Sequence, residues 1–139
     1  MYTLLQNVVR FASKWSDDPG TKVGACVVHE GSFTFGANRF YALPEGKTKE
    51  EVVADRNLKL AWITHAEVDA LSHAPKTEGG VLYVNYTPCD KCAACIADAG
   101  IKKVVAPRMT DLDLIARWSK YWVVGQKVLA DRGVQFVEE

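Results

Sequence analysis

The chain has 139 residues, which suits one domain with its own hydrophobic core, so we expect residues 1–139 to form a single domain. Seventeen Lys and Arg balance seventeen Asp and Glu, and a neutral chain has no general attraction to a nucleic-acid backbone. We therefore expect no nucleic-acid partner. No apolar run approaches the ~20 residues that span a bilayer, and residues 1–10 lack the pattern of a secretory signal, so we expect a cytoplasmic protein with no membrane partner.

The spacing of apolar residues predicts helices and strands in alternation. A helix is expected at 3–15, followed by a hairpin of strands at 23–29 and 32–37 and by a loop at 38–55. Further along the chain we expect helices at 65–74, 88–99 and 111–131, and strands at 81–85, 102–106 and 134–137. Strands that alternate with helices favour a sheet that is covered on both faces.

Two short segments carry the residues that are best suited to chemistry. His65-Ala66-Glu67 supplies an imidazole and a carboxylate, and Pro88-Cys89-Asp90-Lys91-Cys92 supplies two thiols. One His and two Cys leave a position of a tetrahedral zinc open, as in catalytic sites, and Glu67 is a proton carrier beside them. These ligand types suit zinc better than magnesium or calcium. We therefore expect one zinc ion per chain, held by His65, Cys89 and Cys92.

Each segment alone also has a simpler explanation. Thr64 and Glu67 have the spacing of a helix capping box, which requires no catalysis. The C-x-x-C pair alone also occurs in redox pairs and in structural zinc sites. The joint pattern, with one predicted strand between the two segments, is what favours a catalytic metal site.

The other residues near the C-x-x-C pair are expected to have structural roles. Cys95 lies six residues past Cys89, or ~9 Å along a helix axis, which is too far for one zinc with ~2.3 Å bonds to sulfur to bind all three thiols easily. We expect Cys95 to be a small buried residue and Cys26 to lie in the core. Thr87 is expected as the helix N-cap, with Pro88 as the first helical residue. The aromatic residues at 118–122 are expected in the core or in a subunit interface.

The two segments together resemble the H-x-E and P-C-x-x-C motifs of the cytidine deaminase superfamily. Residues 16–28, SDDPGTKVGACVV, resemble the S-x-D-P-x-x-x-V-G-A-x-I-V segment of its deoxycytidylate (dCMP) deaminase branch. Residues 55–67, DRNLKLAWITHAE, resemble the same branch's D-x-x-x-K-x-x-x-x-x-H-A-E approach to the site. The resemblance implies a three-layer α/β/α fold around a central five-stranded mixed sheet.

The resemblance also implies an activity, which is the zinc-dependent hydrolytic deamination of dCMP to dUMP and ammonia. Glu67 would protonate N3 of the cytosine ring and then the leaving amine. Asn38 would contact the sugar or the base, and Ala25 and the backbone of Ala66 would line the base pocket. The implied zinc ligands are His65, Cys89 and Cys92.

The substrate expected from this resemblance is a small-molecule nucleotide, and the expected assembly is a homo-oligomer. The cationic candidates for a phosphate contact are Lys22, Arg39 and Arg56. Residues 36–44, GANRFYALP, depart from the family's G-Y-N-G-x-P-x-G segment, which is tied to regulation by nucleoside triphosphates in many relatives. The resemblance therefore leaves regulation by dCTP and dTTP open. A second departure is Val68-Asp69, because Asn is common at that point of the family's helix.

Other functions remain open from the sequence alone. A related deaminase could act on another nucleoside, on another nucleotide such as dCTP, or on a free base. A tRNA deaminase would need a basic surface, which the neutral composition does not offer. A non-catalytic zinc-binding protein with a deaminase fold is the alternative from another class.

Overall fold

The computed structural model describes residues 3–139 and contains six helices and five strands in that range. Residues 1 and 2, which the single-domain prediction includes, lie outside the described part of the chain. The elements in order are α1 (Leu4–Trp15), β1 (Gly24–His29), β2 (Ser32–Ala37), α2 (Lys49–Ala54), α3 (Arg56–Trp62), α4 (Ala66–His73), β3 (Val81–Val84), α5 (Asp90–Asp98), β4 (Lys103–Ala106), α6 (Leu112–Asp131) and β5 (Gln135–Glu138).

The five strands form one mixed sheet in the order β2-β1-β3-β4-β5. Strand β1 is antiparallel to both β2 and β3, whereas β3, β4 and β5 are parallel to one another. The predicted α/β class and five-stranded mixed sheet are therefore confirmed. The predicted strand bounds agree with the structure to within one residue at each end.

Helices cover both faces of the sheet. Helix α1 lies against one face, where a Cβ atom on Gly24 would come within 2.5 Å of the carbonyl oxygen of Val8. The opposite face of β1 presents Ala25 and Val27 to the main core, which includes Ala66 of α4. Other members of this core come from β3, α5, β4 and α6, namely Leu82, Val84, Ala93, Ile96, Val104 and Leu129. Cys26 is also fully buried, as predicted.

One edge of the sheet gathers the segments that carry the predicted site. Gly24 pairs with Ala37 and Ala25 pairs with Val84, so the start of β1 lies beside the ends of β2 and β3. Asn38 follows β2 directly, and residues 85–89 connect β3 to α5. The topology therefore brings three separate parts of the sequence to the same edge.

The prediction of a loop at 38–55 is wrong in its second half, and no helix was predicted at 56–62. Helix α2 begins at a capping box in which Thr48 and Glu51 satisfy each other's backbone N–H groups. Helix α3 follows at once, because the Asp55 side chain accepts hydrogen bonds from the N–H groups of Asn57 and Leu58. Both caps are local signals that the weak hydrophobic periodicity of this segment obscured.

Two predicted helix starts are shifted. The N-cap of α4 is His65 and the N-cap of α5 is Cys89, and neither side chain makes a capping hydrogen bond. The capping-box explanation for Thr64 and Glu67 is therefore wrong, and so is the prediction of Thr87 as the N-cap of α5. Within residues 3–139, no helix is both long enough and apolar enough to cross a membrane.

Candidate active site

The N-termini of α4 and α5 converge beyond the edge of the sheet described above. His65 and Cys89 occupy the two N-cap positions, where Ser, Thr, Asp or Asn normally stabilises a helix by about 1 kcal/mol. Their side chains point instead toward each other and toward Cys92, in the first turn of α5. His65 and Cys89 therefore occupy N-cap positions where they stabilise the helices less than the usual capping residues would, but where their side chains can bind one metal ion.

The three predicted ligands form one compact cluster. Nδ1 of His65 lies 3.1 Å from Sγ of Cys92 and 3.9 Å from Sγ of Cys89. All three ligand atoms lie within 4.8 Å of one another. In a tetrahedral zinc site, bonds of ~2.1 Å to nitrogen and ~2.3 Å to sulfur place the ligand atoms roughly 3.5–3.8 Å apart. The residues present therefore fit a zinc ion with one open position.

The two cysteine thiols of the cluster differ in acidity. A hydrogen bond from Cys92 lowers the pKa of Cys89 to about 4, although burial opposes this shift. The same bond and burial raise the pKa of Cys92, and the contact with Cys89 raises the pKa of His65. In the absence of metal, Cys92 and His65 therefore hold protons that a metal ion must displace when it binds. Metal affinity is consequently expected to rise with pH.

Glu67 lies in the first turn of α4, two residues past His65. Its side chain is only 5% exposed, and burial raises the pKa of its carboxyl group, against the opposing effect of the nearby His65. Glu67 does not belong to the compact cluster of ligand atoms. A buried carboxyl group beside a metal site, with a raised pKa, is suited to accept and release a proton near neutral pH.

A cavity that is open to solvent lies over this cluster. Of the predicted site residues, the lining includes Asn38, His65, Ala66, Glu67 and Cys89. Cys92 is buried and does not belong to the lining. Ala25 is fully buried in the main core, and neither Ala25 nor Lys22 lines the cavity.

The cavity has a cationic wall formed by Arg56, Lys59 and Arg117. Nζ of Lys59 lies 3.1 Å from Oδ2 of the buried Asp18, which also lines the cavity. Arg56 and Arg117 have no ion-pair partner among residues 3–139. Arg56 was predicted as a phosphate candidate, whereas Lys59 and Arg117 were missed.

Arg39, another predicted phosphate candidate, points elsewhere. Its guanidinium carbon lies 6.0 Å from the ring centre of Trp15 and 5.4 Å from that of Tyr41. It does not line the cavity. These cation–π contacts give Arg39 a structural role that needs no substrate.

Helix α6 supplies a wall of the cavity that sequence reasoning assigned to the core or an interface. Leu114, Trp118 and Trp122 recur every four residues and line the cavity together with Arg117. The helix lies so close to the start of α5 that a Cβ atom on Gly125 would be 2.5 Å from the carbonyl oxygen of Pro88. The i, i+4 spacing was visible in the sequence, but the cavity that it faces was not.

Cys95 is exposed, so the prediction that it is buried is wrong. It lies outside the metal-ligand cluster, as the spacing argument predicted. Its position three residues past Cys92 places it ~4.5 Å further along α5 from the N-terminal end of the helix.

This difference in exposure predicts thiol reactivity. In the zinc-loaded protein we expect DTNB to modify one thiol rapidly, that of Cys95. Cys26 should react slowly, because it is fully buried and burial raises its pKa to about 11. Cys95→Ser should abolish the rapid reaction, and Cys26→Ser should leave it intact. A rapid phase that persists in Cys95→Ser would contradict the assignment.

Comparisons with known proteins identify the family. Residues 2–107 match the family model for the cytidine and deoxycytidylate deaminase zinc-binding region. An uncharacterized deaminase from the luxG 3' region of Aliivibrio fischeri is 32% identical over 130 residues, covering 92% of this chain and 86% of that protein. Human deoxycytidylate deaminase is 31% identical over 106 residues, covering 70% of this chain and 59% of the human protein.

A solved structure extends the similarity to the fold. The crystal structure of dCMP deaminase from the cyanophage S-TIM5, in complex with dCMP and dUMP, superposes with a TM-score of 0.67 at 25% identity. The superposition covers 97% of this chain and 93% of the cyanophage chain. Because the family model spans the three ligands and Glu67, the chain belongs to the cytidine and deoxycytidylate deaminase family of hydrolytic enzymes.

Proposed function

We propose that this enzyme catalyses the zinc-dependent deamination of dCMP, in which dCMP and water give dUMP and ammonia. The observation that carries this proposal is that one cavity combines a buried carboxyl group, a His/Cys/Cys cluster and a cationic wall. The cyanophage enzyme that this chain resembles is described as a dCMP deaminase and was solved with dCMP and dUMP. The similarity to human deoxycytidylate deaminase supports the same substrate.

We propose His65, Cys89 and Cys92 as the ligands of one zinc ion per chain. When bound, zinc would supply a Lewis acid that makes water nucleophilic near neutral pH. The protein would supply the fixed ligand geometry and the positive end of α5, which favours thiolate at Cys89 and Cys92.

Glu67 is the proposed catalytic proton carrier. It would accept a proton from the attacking water and deliver it to N3 of the cytosine ring as the carbon–oxygen bond forms at C4. It would then take the remaining proton from the new hydroxyl group on C4 and give it to the amino group, which leaves as ammonia as the carbon–nitrogen bond breaks and the C4 carbonyl forms. The burial of Glu67 keeps water away from these proton transfers. Because its pKa is raised, its carboxyl group can both donate and accept a proton at a pH closer to neutral.

Asn38 is the proposed contact to the sugar or the base. Its Oδ1 accepts a hydrogen bond from the N–H of Val23 at 3.0 Å, and its Nδ2 donates to the carbonyl oxygen of Thr21 at 2.8 Å. These bonds fix the carboxamide in one orientation and leave its second amide hydrogen for a ligand. We propose that the Ala66 backbone lines the base pocket and that Ala25 supports it from the core.

The cationic wall favours a nucleotide over a nucleoside. Lys59 is already paired with Asp18, which leaves the charges of Arg56 and Arg117 uncompensated within the described part of the chain. A monophosphate carries a charge of about −1.5 to −2 at neutral pH, which two arginines can balance through charge-assisted hydrogen bonds. We therefore propose Arg56 and Arg117, not Lys22, as the principal phosphate contacts.

Arg117→Ala should lower kcat/KM for dCMP by about tenfold or more, because a charge-assisted bond to phosphate is lost. The same change should leave kcat/KM for deoxycytidine nearly unaltered, since the nucleoside has no phosphate. Lys22→Ala is a matched control, because its side chain lies outside the cavity lining. Steady-state rates of ammonia release with both substrates provide the measurement.

Two outcomes would count against this assignment. Equal turnover of deoxycytidine and dCMP by the parent protein would reject the nucleotide as substrate. A preference for dCMP that survives in both Arg117→Ala and Arg56→Ala would leave the substrate class intact but reject these phosphate contacts. The expected homo-oligomer remains a prediction that light scattering would test.

A further inference from the structure

Asp69 is a buried carboxylate that the proposed chemistry does not use. Its side chain is almost completely enclosed, although it lies on α4 only two residues past Glu67. Its Oδ2 accepts a hydrogen bond from the N–H of Ala37 at 2.9 Å, and its Oδ1 accepts one from the hydroxyl of Tyr41. Nδ1 of His73 lies 3.3 Å from Oδ1. A buried carboxylate with these partners is a fixed connection between separate segments.

The connection joins two segments of the chain that both contribute residues to the cavity lining. Ala37 is the last residue of β2 and directly precedes Asn38, whereas Asp69 belongs to the helix that carries Glu67. The two elements are already in close contact, because a Cβ atom on Gly36 would lie 2.3 Å from the backbone nitrogen of Ala70. A shift of the Ala37–Asp69 contact would therefore change the separation of Asn38 and Glu67.

Tyr41 extends the connection to the segment before His65. Its ring packs against the guanidinium of Arg39, whose backbone N–H donates to the carbonyl oxygen of Thr64 at 3.0 Å. The N–H of Thr64 donates in return to the carbonyl oxygen of Arg39 at 2.8 Å. Burial and the neighbouring Asp69 raise the pKa of Tyr41, so its hydroxyl keeps the proton that it donates. Residues 37–41 are thus held to both ends of the segment that carries His65 and Glu67.

We propose that Asp69 and Tyr41 act as positioning residues that hold Asn38 at its working distance from Glu67. This inference rests on the proposed function, because it assumes that Asn38 contacts the substrate on which Glu67 acts. Misplacement of reacting groups by about 1 Å can lower a rate by about 100-fold, so a small displacement matters. Neither residue lines the cavity, and neither is proposed to touch the substrate.

The test compares kcat, KM, zinc content and thermal stability of the full-length, zinc-loaded variants with dCMP. We expect Asp69→Leu to lower kcat by about 100-fold and Tyr41→Phe by about tenfold, with smaller changes in KM and one zinc retained per chain. Asp69→Asn should stay within about threefold of the parent, because its amide can accept from Ala37 and donate to Tyr41. His73→Gln is the matched control, because it leaves the contacts to Ala37 and Tyr41 in place.

A double variant tests whether the two residues act as one unit. Tyr41→Phe combined with Asp69→Leu should lose no more activity than Asp69→Leu alone. If Asp69→Leu does not fold, the kcat of Tyr41→Phe tests the inference instead, because this substitution removes only one hydroxyl group from a half-exposed ring. Folded, zinc-loaded variants with the parental kcat would overturn the inference, as would a loss of kcat that follows loss of zinc. A parent protein without dCMP turnover would reject the proposed function itself, and this inference with it.

Discussion

Glu67→Gln should lower kcat by about three orders of magnitude while the protein stays folded and keeps its zinc. The substitution preserves the shape of the side chain but removes its ability to accept a proton. General acid–base catalysis contributes about 10²- to 10⁴-fold in enzymes, and here one carboxyl group is proposed to serve both transfers. Because Glu67 is buried and does not belong to the ligand cluster, the same change should not reduce zinc content.

The control for this prediction is Glu50→Gln, which removes an exposed carboxylate on α2 and should leave kcat unchanged. Zinc content measured by atomic absorption and a thermal melt would separate a chemical defect from a structural one. Near-normal turnover by folded Glu67→Gln would remove Glu67 from the proposed chemistry. A stability loss alone would favour a structural role, although α4 has no side-chain cap at this point.

Cys89→Ser should reduce zinc content from near one per chain toward zero and abolish activity with it. Cys89 is one of the three proposed zinc ligands, and within residues 3–139 no other His, Cys, Asp or Glu belongs to the cluster that could replace it. A cysteine thiolate binds zinc more strongly than a serine hydroxyl does. The hydrogen bond that lowers the pKa of Cys89 to about 4 favours this thiolate form. His65→Ala should have the same effect, since no other His lies in the cluster.

Cys95→Ser is the matched control, because it removes a thiol from the same helix without touching the cluster. It should keep both zinc and activity. Full zinc occupancy in Cys89→Ser would contradict the ligand assignment. Loss of zinc in Cys95→Ser would instead identify a closed, structural site with a fourth protein ligand.

The ligand cluster could be predicted from the sequence because its geometry is local. Cys89 and Cys92 are three residues apart at a helix start, and His65 begins the helix before the intervening strand. The five-stranded mixed sheet was implied by the family resemblance, and the alternation of strands and helices in the sequence supports it, whereas the order of the strands was not predicted. Exposure was harder to predict, because Cys95 has the size of a core residue and yet lies at the surface of α5.

Only Arg56 of the cationic wall was predicted as a phosphate contact, because the wall depends on contacts between distant elements. Arg117 lies on α6, beyond the residues that match the family model, and reaches the cavity only because α6 packs against the start of α5. Lys59 lies on α3, a helix that the sequence analysis did not predict. Lys22 lies in segment 16–28 and Arg39 in segment 36–44, both of which stand out in the sequence, but neither residue lines the cavity.

The role proposed for Asp69 also depends on the fold. In the sequence, Val68-Asp69 is visible only as a departure from the family's usual Asn. In the structure the backbone N–H of Ala37 and the hydroxyl of Tyr41 both donate hydrogen bonds to Asp69, and a carboxylate can accept both. The departure therefore accompanies a local hydrogen-bond arrangement that the sequence alone does not reveal.

The most direct test of the central claim is ammonia release from dCMP by the zinc-loaded protein, with deoxycytidine, CMP and dCTP measured in parallel. We expect dUMP and ammonia to form in equal amounts and dCMP to have the highest kcat/KM of the four compounds. Chelation should abolish the reaction, and added zinc should restore it. Absence of dUMP, or turnover of deoxycytidine as efficient as that of dCMP, would contradict the proposed dCMP deaminase activity.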